Sequence, residues 1–189
     1  VRKGDVERKT RETDINIEVI LEGSGRAEVE TGIEFFDHLL ESFAKHGRFD
    51  LLVEAKGDFD HHIAEDVMIG IGKSFEEALG DKKGIRRMGD AVVPMDDSLV
   101  LVSIDIGGRV YTDIDINLEK GKMVDLNTDL LIHLIETFAS NLKCNLHVDV
   151  LRGVNDHHKA EASFKALGVA LSEAVEKVDD EVPSTKGVI

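Results

Sequence analysis

Between residues 10 and 22 apolar side chains fall on every second position, Ile15, Ile17, Val19 and Leu21, which is the period of a strand with one buried face. Gly23-Ser24-Gly25 marks a turn, and Arg26 to Glu30 reads as the returning strand of a hairpin. The period then changes. From Phe35 to His46 the apolar residues Phe36, Leu39, Leu40 and Phe43 draw a helical stripe, with Gly47 where a carboxy-terminal cap is expected. Alternation returns at Phe49, Leu51 and Val53 and stops at Gly57-Asp58. Asp60 then offers an N-cap for a helix over about residues 61–79, ended by Gly80.

The same order follows again. Ala91 to Met95, Ser98 to Ile106 and Arg109 to Ile116 predict strands, 128–142 a helix, 144–151 a strand, and a last helix opens after Asp156 and runs to about Lys177. His38 falls on His133, Glu54-Ala55-Lys56-Gly57 on Val150-Leu151-Arg152-Gly153, and Asp60-His61-His62-Ile63-Ala64-Glu65 on Asp156-His157-His158-Lys159-Ala160-Glu161. Because spacing and order both repeat, the chain reads as an internal duplication of a strand–strand–helix–strand–helix unit. The first half is 1–85 and the second 86–178, with the seam near Lys82 to Gly89. Two helices per half on one face of a mostly antiparallel sheet make an α+β sandwich. Residues 179–189 lose the period, carry Pro183 and by composition read as a frayed terminus.

Charge narrows the partners. With Asp+Glu 38 against Lys+Arg 23, the net charge of −15 argues against a nucleic acid or an anionic membrane as partner, and any bound anion needs a local basic pocket. No apolar run approaches the roughly 18 residues of a spanning helix, and the amino terminus lacks a signal-peptide core, so the expected location is the cytoplasm. The single cysteine, Cys144, lies in a predicted strand and reads as core.

The repeated Asp-His-His-x-x-Glu stretches carry the chemistry. His61 and Glu65, like His157 and Glu161, are spaced i, i+4, which puts both side chains on one helix face at chelating distance. The second histidine of each pair is rotated by about 100° around the helix, so it addresses a different centre. A symmetric assignment follows: one metal on His61, Glu65, His133 and His158, the other on His157, Glu161, His38 and His62. A lone histidine is usually core or surface, but six of the eight here occupy repeat-related positions, which favours ligands. The glutamate comes last rather than between the histidines, so it reads as a ligand and not as the general base of an HExxH protease. Four nitrogen and oxygen ligands leave an octahedral ion open to water or substrate, and Mn, Fe, Co, Ni or Zn all suit them. On the motifs alone, a dinuclear hydrolase of phosphate esters and a metal-storage protein with saturated coordination both stay open.

RKTRET at 8–13, GIEFFDHLLESFAKHG at 32–47, DHHIAED at 60–66, GIRRMGD at 84–90, GGRVY at 107–111, NDHHKAEASFKALGVAL at 155–171 and PSTKGVI at 183–189 together resemble the imidazoleglycerol-phosphate dehydratase family over essentially the whole chain. The resemblance implies ribosomal protein S5 domain 2-like halves and a lyase of histidine biosynthesis. Its reaction is the dehydration of D-erythro-imidazoleglycerol phosphate to imidazoleacetol phosphate through a metal-stabilised imidazolate and a diazafulvene-like intermediate. It further implies two Mn²⁺ per active site and a 24-subunit homo-oligomer with active sites shared between subunits. The six repeated histidines, Glu65 and Glu161 fall on the family's metal positions, the two glutamates also counting as catalytic, and Glu12 falls on its mobile acidic residue, a proton shuttle. Arg87, Arg109, Lys165, Ser184, Thr185 and Lys186 fall on its substrate and phosphate contacts, which turns the frayed tail into a segment expected to order over bound substrate.

Overall fold

The computed structural model describes residues 1–189. The first half runs β1 (Lys3–Lys9), β2 (Thr13–Ile20), β3 (Ala27–Glu30), α1 (Glu34–Gly47), β4 (Asp50–Gly57) and α2 (Asp60–Leu79). The second runs β5 (Met88–Met95), β6 (Ser98–Asp105), β7 (Tyr111–Asp115), a small hairpin of β8 (Lys122–Met123) and β9 (Leu126–Asn127), then α3 (Thr128–Leu142), β10 (Asn145–Arg152) and α4 (Asp156–Val175). The two main sheets have the same topology, β1-β2-β4-β3 and β5-β6-β10-β7. In each, two neighbouring pairs are antiparallel and one edge pair is parallel. The duplicated α+β architecture therefore stands.

Three local expectations are corrected. Residues 3–9 form a strand that the pattern does not announce, because Lys3, Asp5, Glu7 and Lys9 alternate with Gly4, Val6 and Arg8 rather than with a run of apolar residues. β3 is not the hairpin partner of β2: it lies parallel to β4, with Ala27 opposite Leu51 and Val29 opposite Val53. The strand carrying Leu51, Val53 and Ala55 buries more apolar surface and takes the central place, while β3, with Val29 as its one buried residue, fits an edge. Helix ends also shift. Asp60 is the first helical residue of α2 rather than its cap, and the left-handed cap of α1 is Arg48 (φ 59°) rather than Gly47, matched by Lys143 (φ 59°) after α3.

The halves meet through their helices. α1 packs on α4 and α2 on α3, so each pair takes one helix from each half, while α2 and α4 also lie on their own sheets. Glycine makes both crossings possible. A Cβ on Gly72 would stand 2.8 Å from the Phe138 carbonyl oxygen, and one on Gly168 would collide with the Phe43 carbonyl. Between the helices Phe75 makes edge-to-face contacts with Phe43, Phe49 and Phe138, the one with Phe49 at 4.9 Å between centroids, and Phe43 packs edge-to-face on Phe138 and at a tilt on Phe49. One apolar cluster thus spans the two repeats.

The tail is tied down rather than frayed over 177–183. Gly84 N–H donates to the Glu181 carbonyl (2.6 Å), Val178 N–H to that of Gly84 (2.8 Å), and Arg87 Nη1 to that of Pro183 (3.0 Å). Beyond that, Ile189 lies against Gly108. No helix is long and apolar enough to cross a membrane.

Candidate metal centres

The crossed helix pairs gather the repeated ligands into two triads. His38 on α1 meets His157 and Glu161 on α4, with Nε2 atoms 3.1 and 3.3 Å from Glu161 Oε2. His61 and Glu65 on α2 meet His133 on α3, with His133 Nε2 3.0 Å and His61 Nε2 3.6 Å from the carboxylate. Within each triad the donor atoms lie within 4.8 Å of one another. Ligands each about 2.1 Å from one ion stand roughly 3–4 Å apart, so both sets fit a metal. Each triad takes helices from both halves, which is why the duplication is needed to build it.

The triads differ electrostatically. Burial pushes the Glu161 carboxyl up, but hydrogen bonds from Lys165 and His38 outweigh it and hold the group below its ordinary range. Lys165 Nζ is 2.7 Å from Glu161 Oε1, and both side chains are largely buried, at 19% and 8% exposed. Glu65 has Ile69 where Lys165 stands in the other half, and its side chain is 34% exposed. Beside the first triad an open cleft of about 490 Å³ is lined by His38, Glu161, Lys165, Lys45 and His46. Beside the second, one of about 440 Å³ is lined by His61, His133, Lys122 and Asp129.

The fourth ligand assigned to each metal does not join its triad within one chain. His62 turns to Asp58 and Glu12, its Nδ1 2.8 and 3.7 Å from their carboxylates, and His158 turns to Asp97, with Nδ1 at 2.6 Å. Their rings stand nearly perpendicular to those of His61 and His157, and the turn of about 100° between successive helical residues sends them off a different side of the helix. Asp58 and Asp97 are functional candidates that the motif reading missed. By accepting from Nδ1 they turn Nε2 of each ring outward, the usual carboxylate support of a metal-binding imidazole; Nε2 of His62 has no partner in the chain, while that of His158 lies 3.5 Å from the exposed Asp96 carboxylate. Asp97 also accepts from the Val154 and Asn155 N–H groups, and the hydrogen bond with His158, reinforced by these two, holds its carboxyl well below the usual range. The hydrogen bond to Asp58 raises the His62 imidazole. The i, i+4 spacing of Asp58 and His62 was a visible signal, whereas Asp97 reaches His158 only through the fold.

The remaining candidates form a second group around the tail. Arg87 is held by Asp105 through Nε (2.6 Å) and Nη2 (2.9 Å) and donates Nη1 to Pro183, immediately before Ser184-Thr185-Lys186. Arg86 instead faces Glu176 on the surface, so the two adjacent arginines are separated by their partners. Arg109 is exposed next to Gly108, which Ile189 approaches. No hydrogen bond or ion pair joins this group to either triad or to Glu12 within the chain.

Fold and site define a class: a duplicated α+β protein that can hold two metals, each at the seam between its halves. Comparison with known proteins makes the class specific. The family model described as imidazoleglycerol-phosphate dehydratase matches residues 31–171. The chain is 50% identical over 195 residues to the imidazoleglycerol-phosphate dehydratase of Caldanaerobacter subterraneus subsp. tengcongensis and 48% identical over 192 residues to that of Methanococcoides burtonii, with all of each chain covered. The crystal structure of the Pyrococcus furiosus enzyme in complex with (S)-C348 superposes with a TM-score of 0.86 at 38% identity, covering 97% of this chain and 100% of that one. That of Staphylococcus aureus subsp. aureus N315 gives 0.85 at 34% identity, covering 93% and 99%. The chain belongs to the imidazoleglycerol-phosphate dehydratase family, whose enzymes are metal-dependent.

Proposed function

We propose that this chain is a hydro-lyase that dehydrates D-erythro-imidazoleglycerol phosphate to imidazoleacetol phosphate in histidine biosynthesis, with two Mn²⁺ per active site. The observation that carries the reading is the pair of triads, His38–His157–Glu161 and His61–Glu65–His133, in a chain of this family. Imidazole and carboxylate donors suit Mn²⁺, and two ions match the two nitrogens of an imidazole substrate. When bound, such metals act as Lewis acids toward the substrate ring and ease loss of its hydroxyl.

The chain's own residues do the rest. His62 and His158, oriented by Asp58 and Asp97, complete coordination from a neighbouring subunit, which fits a shared-site assembly of 24 copies. Glu12, 58% exposed and close to His62, moves the proton at the carbon that loses hydrogen. Arg87, Arg109, Lys165, Ser184, Thr185 and Lys186 bind the substrate, the arginines forking onto phosphate oxygens. Asp105 and Pro183 engage three N–H groups of Arg87, leaving two of its five donors free for such a contact. Residues 1–85 and 86–178 are the two repeat halves, 179–189 closes over the site, and the enzyme works in the cytoplasm.

Incubating the Mn²⁺-loaded protein with imidazoleglycerol phosphate tests the reading. Imidazoleacetol phosphate is the expected product. Release of inorganic phosphate instead would make it a hydrolase. Glu12→Gln should abolish turnover while metal content and substrate binding stay close to wild type.

A further inference from the structure

The two halves support their hairpin turns differently. In the first, the β1–β2 turn carries Glu12, and Asp66, next to Glu65 on α2, reaches up to it. The buried Asp66 carboxylate accepts from Thr13 Oγ1 and, at 3.1 Å, from Arg8 Nε. Thr10 Oγ1 lies 3.1 Å from Thr13 Oγ1 and accepts the N–H groups of Glu12 (3.1 Å) and Thr13 (3.0 Å). With Thr13 donating to Asp66, the Thr10 hydroxyl donates to Thr13, so the chain of bonds has one direction from Glu12 to Asp66. The Glu12 carbonyl in turn accepts from Asp58 N–H at 3.0 Å. The Glu12 backbone is thus pinned on both sides while its side chain stays exposed.

The second half dispenses with this device. Ala162 occupies the place of Asp66, and Ser98, the first residue of β6 as Thr13 is of β2, is buried at 2% exposure with an Oγ that has no hydrogen-bond partner. Asp97, which precedes Ser98 as Glu12 precedes Thr13, is fixed from above by Val154, Asn155 and His158. The same strand–turn–helix junction therefore folds without a carboxylate beneath it. A buried carboxylate is costly unless paired and bonded, and it is present only under the turn that carries Glu12.

We propose that Asp66 is a positioning residue for Glu12: through Thr13 and Thr10 it fixes the turn from which the Glu12 carboxylate reaches substrate, and ties that turn to the helix bearing His61, His62 and Glu65. The inference rests on the reading of Glu12 as the proton shuttle.

Steady-state kinetics of the Mn²⁺-loaded variants, with metal content and melting temperature of each, test it. Asp66→Ala and Thr13→Val should each lower kcat about 10- to 100-fold, the scale of a misplacement near 1 Å, with KM and bound metal unchanged. Asp66→Asn, whose carbonyl still accepts from Thr13, should recover most of the rate. The double variant Asp66→Ala/Thr13→Val should be no slower than Asp66→Ala, since both break one chain of bonds. Ser98→Ala, the equivalent hydroxyl in the other half, should keep wild-type kcat. Wild-type kcat in Asp66→Ala and Thr13→Val while Glu12→Gln is inactive would overturn the inference and leave the Glu12 reading intact. Rate losses that only track lost metal, or an equal loss in Ser98→Ala, would also overturn it. Full activity in Glu12→Gln would remove the Glu12 reading and the inference with it.

Discussion

Replacing Glu161 and Glu65 by Gln, one at a time, separates two triads that the duplication makes nearly equivalent. Glu161→Gln leaves the Lys165 ammonium, 19% exposed, without its anion 2.7 Å away. Exposed pairs are worth about 0.2–1 kcal/mol, and breaking a buried one costs about 3–5 kcal/mol. The lysine head borders the cleft, so an intermediate loss of about 2 kcal/mol is expected. Glu65→Gln strands no lysine, because Ile69 stands there, and its partners are the partly exposed His61 and His133. Its expected loss is about 0–1 kcal/mol. The assay is urea unfolding of the metal-free protein at pH 8, where ordinary imidazoles are neutral, at matched protein concentration. Glu161→Gln should shift the midpoint without changing m, and lower Tm by about 4–8 °C. Adding Lys165→Met to Glu161→Gln should restore most of the loss. Equal losses in the two single variants, or no recovery with Lys165→Met, would refute the assignment of a stranded charge.

Gly168→Ala should destabilise the chain by about 1–3 kcal/mol and lower metal content at the His38 triad, because a Cβ there meets the Phe43 backbone where α1 crosses α4; thermal melts and metal analysis check it. Cys144 is fully buried and burial pushes its thiol up to about 12, so it should be inert to a disulfide reagent at pH 8 and give one equivalent only in denaturant. Fast reaction of the native protein would contradict that packing. Deleting residues 183–189 removes the Pro183 carbonyl from Arg87 together with Ser184, Thr185 and Lys186, and should raise KM and lower kcat at unchanged metal content.

Much of this was legible in the residues. The i, i+4 pairs and their repetition put His61 with Glu65 and His157 with Glu161, and the offset of His38 and His133 supplied the third member of each triad. What the pattern did not carry was long-range. The place of β3 depends on which strand wins the centre of the sheet, a competition between Val29 and the richer Leu51–Val53–Ala55 that no local period records. β1 was missed because its residues are mostly charged and its burial comes from α2 packing over Gly4. The tail looked frayed by composition, yet its order comes from backbone bonds to Gly84 and a side-chain bond from Arg87, which carry no compositional trace. Asp66 and Asp97 were unremarkable acids until the fold set them beneath Thr13 and beside His158.

The most direct test of the account is a titration of metal-free protein with Mn²⁺, following imidazoleacetol phosphate formation against metal bound per chain. The rate should rise to a plateau at two equivalents per chain, with little turnover before both triads fill. Full activity at one equivalent, or no product at two, would contradict it.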